Sequence, residues 1–72
     1  MIKSRIELKL AKRLRELRKK HGLTQERVAE KADLSVRHYQ QLESSKPHAV
    51  QLNTLEKLAH ALKTTPSKLL DF

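Results

Sequence analysis

Thr24-Gln25-Glu26-Arg27-Val28-Ala29-Glu30-Lys31-Ala32-Asp33-Leu34-Ser35-Val36-Arg37-His38-Tyr39-Gln40-Gln41-Leu42-Glu43 decides the fold. Thr24 is a residue type that caps helix N-termini, and Glu26 in the following turn suits the positive end of a helix dipole. Val28, Ala29 and Ala32 then form an apolar seam at helical spacing. The chain turns at Asp33 and Leu34; aspartate tolerates the left-handed conformation that such a turn needs better than most residues do. Ser35 caps a further helix, predicted to run to about Ser44, which directs Tyr39 and Leu42 inward with Leu34.

The outer face of that second helix carries Val36, Arg37, Gln40 and Gln41, which share one side at helical spacing. Two short helices about a tight turn, the second with a polar outer face, make the pattern of a helix-turn-helix, whose second helix enters the DNA major groove. The side-chain chemistry agrees. Arginine matches guanine O6 and N7, glutamine matches adenine N6 and N7, and a valine packs on a thymine methyl. A merely solvated helix face is the plain alternative, and the elements flanking the motif weigh against it.

Outward from the motif, Ile6, Leu10, Leu14 and Leu17 predict a first helix over about residues 4–20, stopped by Gly22, the only glycine. Beyond it, Ser44, Ser45, Lys46 and Pro47 read as a loop. Asn53, with Glu56 three residues on, predicts the start of a fourth helix carrying Leu55, Leu58, Ala59 and Leu62. Thr64 or Thr65 followed by Pro66 starts a short fifth, with Leu69, Leu70 and Phe72 on its apolar side. No segment alternates as a strand would. The expectation is one all-α, compact five-helix domain over residues 1–72, with a basic N-terminal extension of helix one over about residues 1–10.

Composition narrows the partners. Sixteen Lys and Arg against eight Asp and Glu give a net charge of +8, which favours a polyanion. Tyr39 and Phe72 are the only aromatics, too few for the stacking platforms that bind single strands, so duplex DNA is favoured. Residues 1–20 hold nine basic and two acidic residues, +7 of the total, so most positive charge lies outside the helix-turn-helix. That charge either tracks phosphates or acts at a distance. No cysteine is available for a disulfide or a cysteine-based zinc site, and the absence suits a reducing compartment. Ile2, Ile6, Leu8 and Leu10 are separated by charges, so the basic N-terminus predicts neither a signal peptide nor a membrane span; a cytoplasmic protein with no membrane partner is expected. His21, His38, His48 and His60 share no metal-ligand spacing, and no nucleophile with a base and an orienting acid can be assembled. Neither metal, cofactor nor enzymatic activity is expected.

From about Leu14 to Leu70 the chain resembles the phage-repressor and Cro-like helix-turn-helix (XRE) family. The resemblance rests on Leu23-Thr24-Gln25-Glu26, Val28-Ala29, Ala32, Leu34-Ser35, Gln41-Leu42-Glu43 and Leu55-Glu56-Lys57-Leu58-Ala59 with Ala61-Leu62. It departs from the family at Asp33 and Ser45, where glycines are usual; each departure is expected to cost some stability. The resemblance implies base readout by Val36, Arg37 and Gln41. It places Gln25, Ser35, Gln40, Ser44 and Lys46 at the DNA backbone or the margins, and pairs Arg18 with Glu43 in a buried salt bridge.

The functional expectation is a sequence-specific double-stranded DNA-binding transcriptional regulator, a repressor in the simplest reading. As a homodimer it would read a palindromic operator. Val50, Leu69, Leu70 and Phe72 are candidates for the dimer surface, being either core or interface. A controller protein of a restriction-modification system is one alternative, and an antitoxin with a protein partner is another. A protein-interaction module on the same fold is the alternative from a different class.

Overall fold

The computed structural model describes residues 5–47 and 49–71, the side chain of Arg5 excepted. Five helices follow one another: α1 (Arg5–Lys20), α2 (Gln25–Lys31), α3 (Val36–Glu43), α4 (Leu52–Ala61) and α5 (Pro66–Leu69). Among the described residues there is no strand, and no helix is long and apolar enough to cross a membrane. Residues 1–4 of the basic extension, His48 and Phe72 lie outside the described residues.

Side-chain caps open three of these helices. The hydroxyl of Thr24 accepts from the Arg27 N–H at 3.0 Å, that of Ser35 from the His38 N–H at 3.0 Å, and that of Thr65 from the Lys68 N–H at 3.2 Å. Each satisfies an N–H that the helix leaves without a partner. Pro66 follows Thr65 at the first helical position, where a missing N–H costs nothing. α4 departs from expectation. It begins at Leu52 after Gln51, which makes no side-chain cap bond, so Asn53 lies inside the helix. The Leu55 N–H donates to the Gln51 carbonyl at 2.9 Å, an earlier turn that carries Thr54 and Leu55 into the interior.

Three helices close in one way. After α1, the N–H of Leu23 reaches the Arg18 carbonyl and that of Gly22 the Lys19 carbonyl, both at 3.0 Å. After α2, Leu34 donates to Ala29 at 2.9 Å and Asp33 to Glu30 at 3.2 Å; after α4, Thr64 donates to Ala59 at 2.9 Å and Lys63 to His60 at 3.1 Å. This paired closure is the Schellman motif, which requires a left-handed residue just past the helix. Gly22 (φ 65°), Asp33 (φ 57°) and Lys63 (φ 57°) supply it. Asp33 thus adopts the expected conformation, whereas Lys63 carries no sequence signal for it. Ser45 does not have positive φ, so the expected cost of lacking glycine there does not arise. α3 ends differently, at an extended Ser44.

The core draws on every helix: Leu10 and Leu14 from α1, Val28 and Ala29 from α2, Tyr39 and Leu42 from α3, Leu55, Leu58 and Ala59 from α4, and Leu69 from α5. Leu17, Leu23, Leu34, Val36 and Val50 pack against its edge. Ile6, at the start of the α1 seam, is 57 % exposed because the helix outruns the bundle. Leu69 is wholly buried and is therefore core, not available to a partner subunit. Of the other dimer-surface candidates, Leu70 is partly exposed and Val50 half-buried. Leu52, which the sequence did not single out, is 83 % exposed.

Candidate nucleic-acid interface

α3 is held from below by α1. The side chain of Glu43, on the last turn of α3, is only 2 % exposed. It accepts from Arg18 Nε at 2.7 Å and Nη2 at 3.2 Å, from Gln25 Nε2 at 3.0 Å and from the hydroxyl of Tyr39. Arg18 also donates through Nη1 to the Leu23 carbonyl at 3.1 Å, tying the same guanidinium to the segment before α2. Burial alone would raise the Glu43 carboxyl. The hydrogen bonds from Arg18, Tyr39 and Gln25, with the Arg18 charge, outweigh it and hold the group below the usual carboxylate range. The buried group is thus an anion, paired and fully hydrogen-bonded.

The same hub acts on Tyr39 in the opposite sense. Burial, and then the hydrogen bond to Glu43, push the phenol well above its ordinary value. A raised phenol means that folding favours the neutral form. That contribution is intact below the unfolded value near pH 10 and is lost as pH rises toward the folded one. Tyr39 is the sole tyrosine, so phenolate absorbance reports it alone. In an alkaline titration, phenolate absorbance is expected to stay absent through pH 10 to about pH 11 and to rise only together with loss of helical circular dichroism. Ionisation near pH 10 in the folded protein would show that the hub does not enclose the hydroxyl.

A second arginine of α1 grips the end of α3. Arg15 Nη1 donates to the Glu43 carbonyl at 2.6 Å, satisfying one of the acceptors that a helix C-terminus leaves open. The loop beyond closes on its own side chains. Ser44 Oγ donates to the Gln41 carbonyl at 2.7 Å and accepts from the Lys46 N–H at 3.2 Å, while Gln41 Nε2 donates to the Lys46 carbonyl at 3.0 Å.

The outer face of α3 is therefore not uniform. Arg37 and Gln40 are exposed; Val36 is half-buried against the core edge, and Gln41 is half-buried with its amide nitrogen turned onto the loop. Gln40 Nε2 donates to Gln25 Oε1 at 3.3 Å, bringing the start of α2 and the outer face of α3 together. Ser35 is committed to its cap, and Lys46 is exposed at the loop. Arg15 is the contributor that sequence reasoning missed: its partner is a backbone carbonyl, which leaves no pattern in side chains.

A helix-turn-helix family model matches residues 14–69. The chain belongs to the helix-turn-helix family. As such it is a DNA-binding regulator, in agreement with the XRE resemblance. The helix-turn-helix chain is also similar to a solved structure, the restriction-modification controller protein C.AhdI from Aeromonas hydrophila. The two are 36 % identical with a TM-score of 0.82, covering 88 % of this chain and 94 % of that one. No curated protein matches it.

Proposed function

We propose that the protein regulates transcription as a two-fold dimer that reads a palindromic double-stranded operator, α3 of each protomer entering the major groove and α2 crossing the backbone. The observation that carries this reading is the seating of α3. Arg15 and Arg18 fix the end of the helix from beneath, while Arg37 and Gln40 stay exposed on its outer side. Arg37 reads a guanine, with Val36 and Gln41 contributing at its flanks; Gln25, Ser35 and Lys46 follow the phosphate backbone, while Ser44, whose hydroxyl and N–H both donate to the Gln41 carbonyl, stays at the margin. Leu52 and Leu70, exposed apolar side chains of the C-terminal half, form the surface between protomers. Residues 1–72 act as one cytoplasmic domain without catalytic activity, the basic α1 adding long-range attraction to DNA.

Selection of bound duplexes from a random pool tests this directly, because it returns half-site, spacing and symmetry together. The expected product is a palindrome with half-sites about 34–36 Å apart or a multiple of that. Arg37→Ala is expected to weaken operator binding by about 1–3 kcal/mol and to relax preference at one base pair of each half-site. Binding equal to wild type would move the readout face elsewhere. The likeness to C.AhdI supports a more specific role, control of a restriction-modification system. In that case the selected sequence recurs upstream of this gene and of neighbouring endonuclease and methyltransferase genes.

A further inference from the structure

The hydrogen bonds between Glu43, Gln25 and Gln40 have a direction. An ionised carboxylate only accepts, so Gln25 must turn its amide nitrogen toward Glu43, and it does so at 3.0 Å. That leaves Gln25 Oε1 on the other side of its amide, where it too can only accept. Gln40 must therefore present its own nitrogen to Gln25, which it does at 3.3 Å. The acceptor at the buried end thus dictates the orientation of two amides in succession, the second of them exposed on the outer face of α3. One amide hydrogen of Gln40 is consumed; Oε1 and the second hydrogen have no partner among the described residues. Gln41, its neighbour, is in the opposite situation, since its nitrogen is spent on the Lys46 carbonyl at 3.0 Å.

We propose that Gln40 is a specificity-determining residue that reads adenine, and that Glu43, acting through Gln25, is the positioning residue that sets which way the Gln40 amide faces. The inference rests on the DNA-binding reading above. With the amide held in this sense, Oε1 accepts from adenine N6 while the remaining hydrogen is donated to N7. Guanine and thymine present acceptors to the same oxygen and are rejected. Arg37, one turn earlier on α3, is charged and donates only, so the pair reads two bases of unlike chemistry.

Selection from a random pool by wild type, Gln40→Ala and Gln25→Leu, with melting curves to check each fold, tests the proposal. Wild type is expected to select adenine at one position of each half-site. Gln40→Ala loses that preference, and only that one, with affinity for the best site falling about tenfold. Gln25→Leu leaves Glu43 paired with Arg18 and Tyr39 but frees the Gln40 amide to turn over. Adenine and guanine are then selected about equally at the same position. Two results overturn the proposal while leaving DNA binding intact: an equal loss of affinity on all sequences in Gln40→Ala, or an unchanged adenine preference in Gln25→Leu. A wild-type protein that selects no sequence would instead overturn the DNA-binding reading on which the proposal stands.

Discussion

Arg18→Met is expected to destabilise the protein by about 3–5 kcal/mol, because it leaves the Glu43 carboxylate buried without its cation. Domains of this length have a total stability of about 4–11 kcal/mol, so the loss is a large share of it. The melting temperature should fall by roughly 4–8 °C for each kcal/mol. The size follows from burial: Glu43 is 2 % exposed and Arg18 15 %, so water cannot take over the lost interaction. Two controls give the effect its sign. In wild type the depressed Glu43 contributes stability above the unfolded carboxylate value near pH 4.3, and that contribution is lost as pH falls through the lower folded value. In Arg18→Met, desolvation is opposed only by neutral donors, so the difference between variant and wild type should narrow as the solution is acidified. Adding Glu43→Met should then restore only part of the stability, since an apolar pair of similar volume replaces the buried ion pair at little cost but leaves the buried Tyr39 hydroxyl without its acceptor. Urea unfolding at neutral and acid pH measures all three proteins. A loss under about 1 kcal/mol for Arg18→Met would put the pair in the class of solvent-exposed bridges.

The second large effect concerns assembly. Leu52→Glu is expected to leave the monomer folded, because the side chain is 83 % exposed and contributes little to the core. A charge there should prevent the two protomers from closing on each other. Binding to the complete operator then falls by about 10²–10⁴-fold, the advantage of two linked half-site contacts over one. Binding to a single half-site should be unaffected. Light scattering of wild type and variant, beside titrations on both DNAs, separates the two. A Leu52→Glu protein that remains dimeric would remove this surface from the interface.

The helices were legible because caps and apolar spacing are local properties. Thr24, Ser35 and Thr65 each accept the N–H that their position predicts. Periodicity tells which face of a helix is apolar but not where the core ends, and the errors cluster at that limit. Ile6 continues the seam of α1 yet is 57 % exposed, because the helix extends past the bundle. Leu69, left open between core and interface, is core because α5 folds back onto the bundle. At Lys63 the backbone closure of α4 sets the conformation, whereas α3 ends at an extended Ser44 whose hydroxyl shapes the loop, so Ser45 needs no positive φ. In the proposed binding face, Arg37 could be placed from residue type and position, whereas Gln25 and the Arg18–Glu43 link came with the family resemblance. The inward turn of Gln41 onto Lys46 and the grip of Arg15 on the Glu43 carbonyl both depend on backbone acceptors brought close by folding. Such acceptors are present at every residue and mark none.

The attachment of α3 to α1 also bears on portability. Residues 24–43 hold the whole proposed reading face, yet Arg15 and Arg18, which clamp the far end of α3, come from outside that span. Grafted alone onto another scaffold, the motif would carry its letters without the hinge-pin that sets their angle to the groove. A specificity transplant from this protein should therefore take α1 along with α2 and α3 as a single block.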